Sequence, residues 1–155
     1  METPVGWLKI EGHDAGITAI IYCEEDPGEE VPVYPCLEQA RDQLQEYFAG
    51  TRKTFELDLA PEGTSFQTTV WNALLGIPFG RTASYVDVAH AIQNEGAVRA
   101  VGAANGKNPI SIVVPCHRVI GASGKLTGYA GELWRKRWLL EHEAKFTGGY
   151  QQSLF

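Results

Sequence analysis

Reactive groups concentrate at Pro115-Cys116-His117-Arg118. An apolar run, Ile110-Ser111-Ile112-Val113-Val114, leads into the tetrapeptide, and Gly121-Ala122-Ser123-Gly124 follows it as a turn signal. The run predicts a buried strand ending at Cys116. A cysteine with histidine and arginine beside it can be an activated nucleophile, because the thiolate attacks and neighbouring cations or donors lower its pKa. Free cysteine is also among the most buried residue types, so a purely structural Cys116 stays open on the tetrapeptide alone. Direct Cys–His contact, as in a cysteine hydrolase, is poor geometry here, since adjacent residues of an extended segment point to opposite faces.

The elements that must position this segment are legible from periodicity and breakers. Residues 5–10 and 16–22 read as two strands joined by Glu11-Gly12-His13-Asp14-Ala15, with turn-forming Gly12 and Asp14. Residues 24–33 are acidic, hold Pro27, Gly28 and Pro32, and read as a loop. Leu37, Ala40, Leu44, Tyr47 and Phe48 recur at helical spacing and predict a helix over 36–48, stopped by Gly50. Residues 54–59 alternate like a short strand. Composition changes at Ala60-Pro61-Glu62-Gly63-Thr64, which predicts one domain over 1–62, a second over 63–147 and a flexible tail over 148–155. In the second part a helix is expected over 65–75, with Phe66, Val70, Trp71 and Leu74 on one face. A Ser84-capped helix follows to about residue 93, then a third over 97–105. Two short helices joined by a Gly-containing turn form a helix-turn-helix pattern. A last helix over 132–143 is expected to turn Trp134, Trp138 and Leu139 or Leu140 inward.

At 155 residues and 44% apolar content the chain can bury one core or two small ones. No stretch is long and apolar enough for a membrane span, and Met1-Glu2-Thr3-Pro4 opens no signal peptide, so a cytoplasmic protein with no membrane partner is expected. Cys23, Cys36 and Cys116 form no metal-binding spacing, and neither a metal nor a cofactor is expected. The net charge of −6 hides an asymmetry. Residues 1–62 hold four Lys/Arg against fourteen Asp/Glu, and residues 63–155 hold nine against five. A basic second part suits a polyanion, although two solvated faces with a charge bias explain the numbers equally well.

The third helix of the second part has an unusual surface. Val98, Val101 and Ala104 are expected to face the core, while Arg99, Gly102, Ala103 and Gly106 share another face. Gly102 costs that helix about 1 kcal/mol against alanine. Close approach of another backbone would compensate, either a helix of the same protein or the minor groove of a duplex probed by Arg99.

Taken with the residues around them, these features become specific. Pro115-Cys116-His117-Arg118-Val119-Ile120-Gly121, Gly128-Tyr129-Ala130-Gly131 and Leu139-Leu140-Glu141-His142-Glu143 resemble the O6-alkylguanine-DNA alkyltransferase family, in its short bacterial form. The resemblance extends upstream through Phe66-Gln67-Thr68-Thr69-Val70-Trp71, Ile77-Pro78-Phe79-Gly80, Ser84-Tyr85 and Ala100-Val101-Gly102-Ala103-Ala104-Asn105. It implies an α/β protein: a small ribonuclease H-like α+β domain, then a mainly helical domain with a winged-helix-like helix-turn-helix. It also implies direct reversal of DNA alkylation, in which Cys116 keeps the alkyl group of O6-alkylguanine in duplex DNA and the protein is spent after one turnover. O4-alkylthymine is a second candidate lesion.

By the same resemblance His117 is the base, reaching Cys116 through a water, and Glu143 orients His117. Asn108 holds the helix-turn-helix against the site, and the Tyr85 hydroxyl donates to the departing guanine. Tyr129, Ala130, Gly131 and the backbone at Val119 wall the base pocket. Arg99 replaces the flipped base in the stack, with Ala100, Gly102, Ala103 and Arg118 in the DNA-contacting set. The implied partner is double-stranded alkylated DNA, bound by a monomer through the minor groove. Glu132 departs from the pattern, standing where many members have glycine. Cys116 is intact, unlike in the family's non-catalytic sensors. The tail residues Gln151, Ser153, Leu154 and Phe155 resemble a peptide that docks on bacterial sliding clamps, with Gln152 in place of the commoner leucine. A non-reacting DNA-damage sensor and an unrelated cysteine hydrolase are the competing readings, separated from the transferase by whether Cys116 gains mass once, never, or turns over repeatedly.

Overall fold

The fold is taken from a computed structural model, which describes residues 1–29 and 33–147 and the backbone of 151–152. The chain divides into two compact units: residues 1–62 with 109–111, and residues 63–108 with 112–155.

The first unit is an antiparallel sheet in the order β1 (Glu2–Thr3), β2 (Gly6–His13), β3 (Gly16–Cys23), joined by helix α1 (Pro35–Ala49). The β2–β3 register shifts at Glu11/Gly12, where a bulge accommodates the tight turn. Leu37, Ala40, Leu44 and Tyr47 form the buried stripe of α1 at the expected three- and four-residue spacing. Gly50 ends the helix in the left-handed conformation, φ 83°, where its amide returns to the last turn. The strand expected over 54–59 shrinks to a single bridge between Leu59 and Ile17. The Gln43 side chain instead brackets Glu56, donating to its carbonyl and accepting from its amide, so a side chain takes the place of a partner strand.

The second unit contains α2 (Ser65–Leu74), β4 (Arg81–Ser84), α3 (Tyr85–Ala91), α4 (Val98–Gly106), β5 (Val119–Ile120), α5 (Leu133–Lys145) and β6 (Gln151–Gln152). Thr64 and Gln67 cap α2 reciprocally, and Ser84 and Asp87 do the same for α3. The indole of Trp71 donates to the Ala104 carbonyl at 2.9 Å, tying α2 to α4. Between α3 and α4 a 3₁₀ turn, Glu95–Ala97, completes the helix-turn-helix.

Four further expectations need correction. No strand runs through 110–114. Ile110 makes one bridge to Ile20, Ile112 takes φ 73°, and Cys116–Arg118 forms a 3₁₀ turn. Pro109 and Pro115 remove donors at both ends of this apolar run, and burial alone cannot separate a strand from a buried turn. The second unit also carries a small parallel sheet, β5–β4–β6, absent from the helical expectation because its strands are two to four residues long. Gln151 and Gln152, expected in a free tail, pair with Arg81 and Thr82. Ser153, Leu154 and Phe155 lie outside the described residues. Trp134 is 50% exposed, whereas Leu139 and Leu140 are both buried.

Candidate active site

Cys116 opens the 3₁₀ turn that replaces the expected strand, and its side chain is buried. Asn108 reaches it from the end of the helix-turn-helix. The Asn108 Nδ2 donates to the Val114 carbonyl at 2.8 Å and to Cys116 Sγ at 3.1 Å. Asn105 on α4 donates to the Cys116 carbonyl at 3.4 Å. Burial pushes the Cys116 thiol above its ordinary value, against the Asn108 hydrogen bond and the positive charge of Lys136, which pull it down. The resting group is therefore a thiol that must lose its proton on demand.

His117 is fully buried one residue on, and its Nε2 lies 2.6 Å from Glu143 Oε2. The pair is 26 positions apart in sequence and meets because α5 returns across the 3₁₀ turn. Burial lowers the His117 pKa, and the Glu143 charge and hydrogen bond only partly restore it. A neutral imidazole donating from Nε2 leaves Nδ1 as its acceptor. That atom is buried with no protein hydrogen-bond partner among the described residues.

Glu143 holds more than His117. Arg118 donates to it twice, Nε to Oε1 at 2.8 Å and Nη2 to Oε2 at 3.1 Å, and the Gly80 amide donates to Oε1 at 3.1 Å. Burial by itself would raise this carboxyl, but His117 and then Arg118, by charge and by hydrogen bond, overcome that and hold it well below the usual carboxylate range. The Arg118 charge is permanent, so its share does not depend on the protonation of His117. Arg118 is itself buried, donating to the Ile77 carbonyl at 2.7 Å and lying over the Phe79 ring. It was expected to contact DNA. The structure instead makes it the counter-ion of Glu143, because a bidentate fork beside a buried carboxylate leaves no guanidinium edge for solvent.

Tyr85 begins α3, and its hydroxyl lies 3.3 Å from the Thr127 carbonyl and 3.4 Å from Thr127 Oγ1. Val119 and Gly131 are buried, Tyr129 is half-buried and Ala130 is exposed. On α4 Arg99, Ala100 and Ala103 are exposed and Gly102 is half-buried, so they share the outer face as expected. A Cβ on Gly102 would meet only the Tyr85 ring, at 3.8 Å, and one on Gly106 would meet nothing within 4 Å. The internal packing of the unit therefore does not demand this smooth face.

Two residues escaped the sequence reading. Asn105 carried a signal, since a polar residue on the inner face of a helix needs a buried partner. Lys136 carried none: a lysine in Arg135-Lys136-Arg137 resembles a solvated charge run, yet it is fully buried.

Two family profiles cover the chain. One, described as 6-O-methylguanine DNA methyltransferase, DNA binding domain, matches residues 65–145, and the other, its ribonuclease-like domain, matches residues 1–61. The chain belongs to the 6-O-methylguanine DNA methyltransferase family. A methylated-DNA–protein-cysteine methyltransferase of Mycobacterium tuberculosis is 50% identical over 154 residues, covering 92% of this chain and 89% of the relative. One from Methanosarcina acetivorans is 48% identical over 147 residues, covering 92% and 94%. The crystal structure of Mycobacterium tuberculosis OGT in complex with DNA superposes with a TM-score of 0.85 at 49% identity, covering 94% of this chain and 91% of that one. As a family member the protein has the mixed α/β architecture expected of it, with a small sheet-containing first unit and a mainly helical second unit.

Proposed function

We propose that this protein repairs alkylated DNA directly, with Cys116 as the acceptor. Cys116 Sγ attacks the alkyl carbon on guanine O6, the S–C bond forms as the C–O bond breaks, and the thioether stays on the protein. The thiol proton passes through a water to His117 Nδ1, and the departing guanine, stabilised by a hydrogen bond from Tyr85, takes up a proton from solvent, to which His117 returns its own. Glu143 keeps its charge throughout and orients His117, while Arg118 keeps Glu143 ionised. The protein does not regenerate Cys116, so each molecule acts once. O4-alkylthymine is a second lesion compatible with the same chemistry.

The observation that carries this reading is a pair of hydrogen-bonded chains on neighbouring residues, Asn108 to Cys116 and His117 through Glu143 to Arg118, inside a family of methylated-DNA methyltransferases. The α4 face of Arg99, Ala100, Gly102 and Ala103 is suited to the minor groove, with Arg99 filling the place of the flipped base and the protein acting as a monomer. Tyr129, Ala130, Gly131 and Val119 form the base pocket. The tail segment Gln151–Phe155 is a candidate ligand for a sliding clamp, tested by whether Leu154→Ala and Phe155→Ala weaken binding to a purified clamp.

Intact-protein mass after incubation with a duplex carrying O6-methylguanine tests the main reading. One methyl increment on the Cys116 peptide, absent in Cys116→Ser, is the expected result. Tight duplex binding with no increment would make the protein a sensor. Absence of both binding and increment would sink the proposal.

A further inference from the structure

Lys136 is a second-turn residue of α5, fully buried, and none of the steps above uses it. Its Nζ donates to the Val119 carbonyl at 2.5 Å and to the Thr127 carbonyl at 2.7 Å. Burying an ammonium is costly unless it is paired or well hydrogen-bonded. The pairing here is with two main-chain carbonyls, on either side of the segment 119–127. Val119 follows the Cys116 turn directly. Thr127 precedes Gly128-Tyr129-Ala130-Gly131. One ammonium thus gathers both walls of the base pocket onto a single point.

Thr127 is also where the Tyr85 hydroxyl rests, at the longer distance of 3.3 Å. The two donors differ in strength. A short charge-assisted bond from Lys136 satisfies the carbonyl, and the neutral Tyr85 bond is the weaker one. Tyr85 can therefore leave Thr127 for a substrate while the carbonyl keeps its bond from Lys136.

We infer that Lys136 is a positioning residue of the transfer reaction: by holding the Val119 and Thr127 carbonyls together it fixes the base pocket and frees the Tyr85 hydroxyl to serve the leaving base. The inference rests on the function proposed above. Burial lowers the Lys136 pKa to about 8, and the Cys116 charge opposes that fall. Among the described residues Cys116, His117 and the Tyr85 hydroxyl face it: Cys116 attracts the ammonium once it becomes a thiolate, and a protonated His117 repels it. The neighbouring Arg135 is engaged by the Gly131 carbonyl.

Lys136→Met removes donors and charge at similar volume, and Lys136→Gln keeps an uncharged donor. With the full-length protein and an O6-methylguanine duplex, Lys136→Met should lower the saturating single-turnover rate at least tenfold. The half-saturating duplex concentration should move less than threefold, because the α4 face is untouched. Lys136→Gln should recover at least threefold of the lost rate. A folded Lys136→Met with wild-type rate would overturn the inference, as would equal losses in rate and binding with no recovery in Lys136→Gln. If neither variant folds, NMR couplings across the Lys136 hydrogen bonds, read in the Cys116→Ser complex with the same duplex, decide the matter. Couplings to Val119 and Thr127 that persist support the assignment, and their disappearance refutes it. A wild-type protein that transfers no methyl group would count against the proposed function, whereas normal transfer by Lys136→Met would count only against the role of Lys136.

Discussion

Three separate partners converge on the Glu143 carboxylate. Its two oxygens take hydrogen bonds from His117, Arg118 and the Gly80 amide, all inside the fold. Glu143→Gln leaves Arg118 as a buried charge without a carboxylate, and breaking such a pair from one side costs about 3–5 kcal/mol. Thermal or denaturant unfolding of the variant should show a loss of that order, together with a slower transfer rate. Arg118→Met should cost a comparable amount while leaving the α4 face intact. Undiminished stability in both variants would mean that the network is incidental to the fold. Glu132 presents the opposite case. It holds φ 74° and ψ 147°, a conformation that glycine alone adopts freely, and its carboxylate accepts from the Trp134 indole at 3.0 Å. Glu132→Gly should relieve that strain and raise stability by about 1 kcal/mol, read from the unfolding midpoint. An unchanged or lower midpoint would show that the Trp134 hydrogen bond outweighs the strain.

At the scale of elements, α4 separates two explanations for its small residues. Tight packing inside the protein would leave no room beside Gly102, but a Cβ there finds only ordinary contact with Tyr85. Gly102→Val should therefore change stability by no more than about 1 kcal/mol, the scale of helix propensity. Its affinity for an alkylated duplex, followed by fluorescence anisotropy, should fall at least tenfold. A stability loss with unaltered duplex affinity would restore the packing explanation. The helix-turn-helix was legible beforehand because Ser84, Gly96 and the apolar spacing are local signals. The Cys116 segment was not. Its apolar residues are buried whether the backbone extends or turns, and only the left-handed Ile112 and the neighbouring prolines decide.

At the scale of the molecule, charge and pH connect the parts. Arg118, Arg135 and Lys136 are buried, so much of the positive excess of the second unit is internal. The remaining six Lys/Arg of residues 63–155 stand against four Asp/Glu. The basic balance inferred from composition was thus in part the machinery of the site and less a surface for a polyanion. Acid stability follows from the same groups. The His117 pKa is lower in the fold than in the unfolded chain, so as pH falls below 6.5 the unfolded chain takes up the proton first and stability is lost. Glu143, also lowered, adds a second loss beginning below about 4.5. Urea midpoints measured from pH 8 to 4 should fall in the first window, and His117→Gln should remove that part of the slope. A flat profile from pH 7 to 5 would contradict a buried neutral imidazole.

The sequence by itself determined where cysteine, histidine and carboxylate stand in the chain, the helices with local caps and the family whose pattern they follow. Those signals are local in the chain, or lie in residue types at set spacings. Only the tertiary structure decided that Arg118 serves Glu143 and not DNA, that Cys116 sits on a turn, and that Lys136 is interior. The partners of Arg118 lie up to 41 positions away and those of Lys136 up to 17, while Asn105 and Asn108 hold the Cys116 turn from 11 and 8 positions away. Burial of a charge, moreover, is set by what surrounds it, which no residue type or spacing records.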